Sequence, residues 1–105
     1  KEQAVVIFVT PSSPAEARKI GRALVKEKLV ACANIIPQIR SIYYWQGEIY
    51  DEPEALMILK TRSGRIQKIT KKVQSLHSYT VPEIIAFPVV AGSKEYLGWI
   101  HEVTR

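Results

Sequence analysis

Between Leu29 and Arg62 the chain carries two long apolar-rich arms that meet at Gln46-Gly47. The first arm holds Ile35, Ile36, Ile39, Ile42, Tyr43, Tyr44 and Trp45. The second holds Ile49, Tyr50, Leu56, Met57, Ile58 and Leu59. β-Branched and aromatic residues dominate both arms and a glycine lies at the reversal, which together predict a β-hairpin. Gln-Gly is a weaker turn signal than Asn-Gly, because Gln gains little from a positive φ. Each arm exceeds the usual strand of about 5–6 residues. Pro37 and Pro53 cannot donate to a ladder, so bulges or breaks are expected at both. A hairpin this long and this apolar outruns what a small monomer can bury. Its tip is expected to pack on another subunit.

The flanking segments complete the pattern. Gln3–Thr10 (QAVVIFVT) is a nearly continuous apolar run, which fits a strand covered on both faces. Pro11-Ser12-Ser13-Pro14 ends it. Ser13 is the expected N-cap of a helix, with Pro14 at the first helical position and Glu16 closing a capping box. Ala17, Ile20, Gly21, Leu24 and Val25 form one face of that helix, which is expected to end near Lys28. After the hairpin, Ser63 is the expected cap of a second helix. Ile66, Ile69, Val73 and Leu76 form its apolar stripe, and it should stop near His77-Ser78. Val81–Val90 reads as a fourth strand, and Pro82 and Pro88 assign it to an edge. Ser93 should cap a short terminal helix marked by Tyr96, Leu97, Ile100 and Val103. The order β-α-β-β-α-β plus a helix defines an α+β fold: one ferredoxin-like domain over residues 1–105, with an antiparallel sheet.

Function classes are then excluded in turn. There is no nucleophile elbow, P-loop, paired Cys-x-x-Cys or His-Glu-x-x-His, so no enzyme is expected. The net charge of +5 permits nucleic-acid binding. RNA-binding modules of this topology stack bases on strand aromatics, and Ala55–Lys60 is aliphatic, so nucleic acid is not an expected partner. No run approaches the roughly 20 apolar residues of a membrane span, so direct membrane insertion is not expected. The chain has one cysteine, Cys32, which cannot form an internal disulfide. A reducing, cytoplasmic setting is the expectation, although a leader removed ahead of Lys1 would leave no trace.

Single residues carry bland readings beside sharp ones. Cys32, between Ala31 and Ala33, reads as a buried small hydrophobe. His77 ends a helix and reads as a cap, yet imidazole is also the commonest metal ligand. Glu83 follows Pro82 and shields an edge. Glu54 and Lys60 are evenly spaced on one arm and so share a face, where a surface ion pair is the plain reading. Tyr43, Tyr44 and Trp45 must point to both faces of their strand. At least one of them is expected to face away from its own core.

Leu29–Pro37 (LVACANIIP), Ser41–Ile49 (SIYYWQGEI), Ile58–Thr61 (ILKT), His77-Ser78-Tyr79, Val81–Ile85 (VPEII) and Tyr96–Ile100 (YLGWI) resemble the CutA family of divalent-cation tolerance proteins. The similarity runs along nearly the whole chain in order and spacing. It implies a ferredoxin-like subunit in a tight homotrimer, non-enzymatic, resembling PII-type signalling trimers in architecture. It also implies a ligand cleft built from Cys32, Trp45, Glu54, Lys60, Tyr79 and Glu83. The family is associated with copper and other divalent cations. Copper-binding relatives place Cys where Val9 stands and His where Leu76 stands, so His77 is the remaining metal-ligand candidate and weak copper binding is the expectation. The alternative is a signalling or scaffold trimer that binds a small anion in clefts between subunits.

Overall fold

The computed structural model describes residues 2–105. Strand β1 (Ala4–Val9) is followed by helix α1 (Pro14–Lys26), strands β2 (Cys32–Trp45) and β3 (Glu48–Arg62), helix α2 (Ile66–Leu76), strand β4 (Ile84–Pro88) and helix α3 (Lys94–Val103). The four strands form one antiparallel sheet in the order β2-β3-β1-β4. This is the ferredoxin-like arrangement that the element order predicts.

The apolar β1 is central, paired on one side with β3 and on the other with β4. Its Val5, Ile7 and Val9 join Ala55, Met57 and Leu59 of β3 on the face that α1 and α2 cover. Ile20, Leu24, Ile69 and Val73 fill that core from the helices. Burying such aliphatic side chains contributes about 1.5–3 kcal/mol each, and this layer holds the fold together. The opposite face carries Phe8, Leu56, Ile58, Ile85 and Phe87, with Phe8 and Phe87 in tilted contact at 5.1 Å between ring centroids. Helix α3 closes one end of that face. Arg62 Nε and Nη2 both donate to the Thr104 carbonyl, and Ile100 is buried. The remainder is open, with Ile36, Ile85 and Phe87 exposed.

Local chemistry sets the element ends. Ser13 Oγ accepts from Glu16 N at 3.1 Å, so the N-cap is as expected. The return bond differs, because Glu16 Oε1 accepts from Ser12 N rather than from the cap residue. α1 ends in a Schellman turn: Leu29 N donates to Leu24 O, Lys28 N to Val25 O, and Lys28 takes φ 59°. The hairpin reverses with φ 50° at Gln46 and 82° at Gly47, the paired positive values of a type I′ turn.

Three expectations need correction. Ser63 makes no cap; residues Ser63–Arg65 form a 3-10 turn ahead of α2. A register shift does fall between Ile36 and Ile39, around Pro37, but Pro53 stays in register opposite Arg40. Past Val9 no β1 residue pairs with β3, so the side of β3 that Pro53 would otherwise leave short of a donor has no ladder to lose. The fourth strand is shorter than Val81–Val90. It begins at Ile84, opposite Val9, because β1 ends there and residues before Ile84 have no partner strand.

Candidate functional site

The hairpin runs past the end of β1, and the loop from His77 to Glu83 folds against its root. Between them lies a cleft of about 790 Å³, lined by Thr10, Arg40, Tyr43, Trp45, Glu54, Tyr79 and Glu83 among others. A cleft of this size suits a small ligand.

Two elements build it. On the hairpin, the pairs Tyr43↔Tyr50, Ser41↔Glu52 and Ile39↔Glu54 put Tyr43, Glu52 and Glu54 on one face. Tyr43 OH donates to Glu52 Oε1 at 2.7 Å, and its ring stacks on Tyr50 at 5.3 Å. That hydrogen bond first, then desolvation and the nearby Glu52 and Glu54 carboxylates, push the Tyr43 phenol up to about 12. Arg40 is held on the hairpin by Asp51, its Nε 2.6 Å from Oδ1.

The loop is pinned by a chain of hydrogen bonds. Glu16 accepts from the backbone N–H of Ser12 and of Ser78, each at 2.8 Å, and from both serine hydroxyls. Burial opposes the charge of Glu16, but these donors outweigh it and hold the carboxyl below its ordinary value. His77 Nε2 lies 3.1 Å from the Thr10 carbonyl, which can only accept, so Nε2 carries the proton. Tyr79 N then donates to Nδ1 at 3.0 Å, and the His77 and Tyr79 rings meet at 4.8 Å. This brings Tyr79 to Glu54. Burial first, and the Glu54 carboxylate second, raise the Tyr79 phenol well above its ordinary range. Burial and the Glu54 charge also raise Glu83.

Four of the six cleft residues named from the sequence, Trp45, Glu54, Tyr79 and Glu83, therefore line one cleft within a single chain. Cys32 and Lys60 do not. They are cross-strand neighbours at the far end of the hairpin, where Lys60 Nζ sits 5.9 Å from the centroid of the Tyr96 ring. Cys32 is half-buried rather than buried, because it opens an edge strand, and its thiol lies 3.5 Å from Asn34 Oδ1. His77 is buried with both ring nitrogens engaged, so it offers no free lone pair. Among the described residues no three His, Cys, Asp or Glu side chains converge to hold a metal. Tyr43, read from the sequence as an interface aromatic, lines the cleft as well, as do Thr10 and Arg40, which sequence reading does not place there. Tyr43 lies two residues from Trp45 and so shares its face, a period-two signal sufficient to find it.

Fold and cleft together define a ferredoxin-like α+β subunit with an acidic, aromatic-walled cleft beside a projecting hairpin. Residues 5–103 match the model of the CutA1 divalent ion tolerance protein family. A divalent-cation tolerance protein CutA of Thermus thermophilus is 46% identical over 99 residues, covering 94% of this chain and 96% of the relative. A protein CutA of Homo sapiens is 46% identical over 98 residues, 93% of this chain but 55% of the relative. The chain thus spans nearly all of the bacterial relative and about half of the human one. A solved structure of the Cut A1 divalent cation tolerance protein from Thermus thermophilus superposes with a TM-score of 0.95 at 45% identity, covering 97% of this chain and 99% of that one. The periplasmic divalent cation tolerance protein CutA from Archaeoglobus fulgidus gives 0.94 at 40% identity, covering 97% and 99%. The chain belongs to the CutA1 divalent ion tolerance family. Among the described residues no helix is long and apolar enough to cross a membrane.

Proposed function

We propose that the protein is a non-enzymatic homotrimeric subunit of the divalent-cation tolerance type, with the cleft at the hairpin root as its ligand site. The observation that carries the assembly is the apolar surface left on one chain. Ile42, Tyr44 and Ile49 at the hairpin tip are 69%, 73% and 74% exposed, and the sheet face around Ile36, Ile85 and Phe87 is open. Contiguous apolar surface of this kind marks an interface. Static light scattering at micromolar concentration tests it. The expected mass is three times the 11.9 kDa of the chain, and a stable folded monomer overturns it.

The non-enzymatic reading rests on the sequence, which carries no nucleophile elbow, P-loop, paired Cys-x-x-Cys or His-Glu-x-x-His. Weak divalent-cation binding belongs to the same proposal, but through carboxylate oxygens of Glu54 and Glu83 rather than through His77, whose nitrogens are both bonded. Calorimetric titration with copper(II) should show weak binding that Glu83→Gln abolishes. Tight binding that survives this change places the ligands elsewhere. The alternative of a PII-like trimer that takes a small anion finds less support, because two carboxylates face the cleft and its arginine is paired. The unpaired Cys32 supports a reducing compartment, which we take to be the cytoplasm.

A further inference from the structure

We propose that the cleft at the hairpin root receives an alkylammonium group, caged between aromatic rings and two carboxylates. This rests on the reading of the cleft as a ligand site and names the chemistry it takes. Glu54 is 7% exposed, and among the described residues no Lys, Arg or His pairs with it. A carboxylate buried beside an aromatic wall without a counter-charge is costly, and a cation entering the cleft removes that cost. Glu83 lies in the same field and is the second carboxylate. The arginine that lines the cleft, Arg40, is already engaged by Asp51 and does not neutralise the pair.

The walls select the kind of cation. Tyr43, Trp45 and Tyr79 all line the same space. Aromatic faces attract an ammonium within about 6 Å of the ring centroid and gain further when the site is desolvated. They add nothing to the hold on a hard divalent ion, which needs several oxygen donors and finds only two carboxylates here. A transition metal is held tightly by imidazole or thiolate, and here His77 is fully bonded and Cys32 is at the other end of the hairpin, which leaves only the weak binding that two carboxylates give. An anion meets two carboxylates. An alkylammonium is the charge-bearing group that uses both the acids and the rings.

Two sources share this chemistry. One is a free amine or quaternary ammonium compound. The other is Lys60 of a second copy, since Lys60 has no carboxylate partner among the described residues. The test uses a Trp99→Phe background, in which Trp45 is the remaining tryptophan. Tetramethylammonium is titrated at constant ionic strength and Trp45 emission is followed, with copper(II) and citrate in parallel. The expected result is a saturable emission change, weakened about tenfold or more in Glu54→Gln and in Glu83→Gln, with no response to citrate. Circular dichroism reports whether each variant folds, and Glu83→Gln carries the test if Glu54→Gln does not. A response that is absent with Lys60 present and appears in Lys60→Met supports the cage and assigns its occupant to the lysine of a second copy. No response to tetramethylammonium in either background overturns the proposal. Copper(II) binding without ammonium binding also overturns it, while leaving the cleft as a ligand site.

Discussion

At the scale of single residues, Glu16 shapes the cleft without lining it. It sits at the start of α1 and contacts no ligand surface, yet it accepts four hydrogen bonds that tie the Ser78 end of the loop to Ser12. Tyr79, next in the chain, is delivered to Glu54 by that tie. Hydrogen bonds to a charged acceptor are worth about 1.5–3 kcal/mol each, but they share one carboxylate and solvent replaces part of them. Glu16→Gln is therefore expected to cost about 2 kcal/mol, read as a lower urea midpoint at neutral pH. The pH dependence follows from the lowered carboxyl. A group whose folded pKa is depressed contributes stability that is fully present above its unfolded value, here the ordinary 4.5, and is lost as pH falls through the folded value. The gap between wild type and Glu16→Gln should thus be full at neutral pH and close below that value. A gap that does not change with pH would mean that the charge of Glu16 is irrelevant. The Ser13 N-cap is legible from the sequence, although the return bond to Glu16 comes from Ser12 N. The reach from Glu16 to Ser78, 62 positions away, is not, because no local pattern encodes it.

At the scale of elements, the hairpin is where sequence reading both succeeds and runs short. Its arms, its reversal at Gln46-Gly47 and the bulge at Pro37 follow from composition and from the chemistry of proline. The shared face of Glu54 and Lys60 follows from the period of two. What that period omits is length. Six residues along a strand cover roughly 20 Å, so two side chains on one face need not meet. Cys32 and Lys60 therefore join Glu54 in one site only if a second chain brings them there. Ser63 departs from its expected role for a related reason: a serine before an apolar stripe signals a cap, but here a 3-10 turn intervenes. The turn at the hairpin tip also makes its own prediction. Gln46 holds φ 50°, a value that Asn tolerates better than Gln. Gln46→Asn is expected to raise stability by about 0.5 kcal/mol, whereas Gly47→Ala, at φ 82°, should lower it by about 1 kcal/mol. Thermal melts of the two variants should move in opposite directions. Equal shifts would mean that the turn is not of the type I′ form.

At the scale of the whole molecule, the single chain is 44 Å long and 26 by 22 Å across, and its hairpin projects past the end of β1. Nothing in the chain's own core covers that projection. The core lies between the sheet and the pair α1 and α2, while Ile42, Tyr44 and Ile49 stand in solvent. If these side chains are covered only by other subunits, replacing them should leave the subunit core intact and disturb association. Ile42→Ser, Tyr44→Ser and Ile49→Ser combined are expected to retain the far-ultraviolet circular dichroism of the fold and to lower the mass seen by light scattering. The melting temperature should respond as well. A protein stabilised by association melts at a temperature that rises with concentration, and one that no longer associates does not. The triple variant should lose that dependence while the wild type keeps it. A variant that remains associated, with an unchanged concentration dependence, would show that the tip is not part of the interface. The open sheet face around Phe87 would then be left to hold the assembly, and Phe87→Ser would be the change that dissociates it.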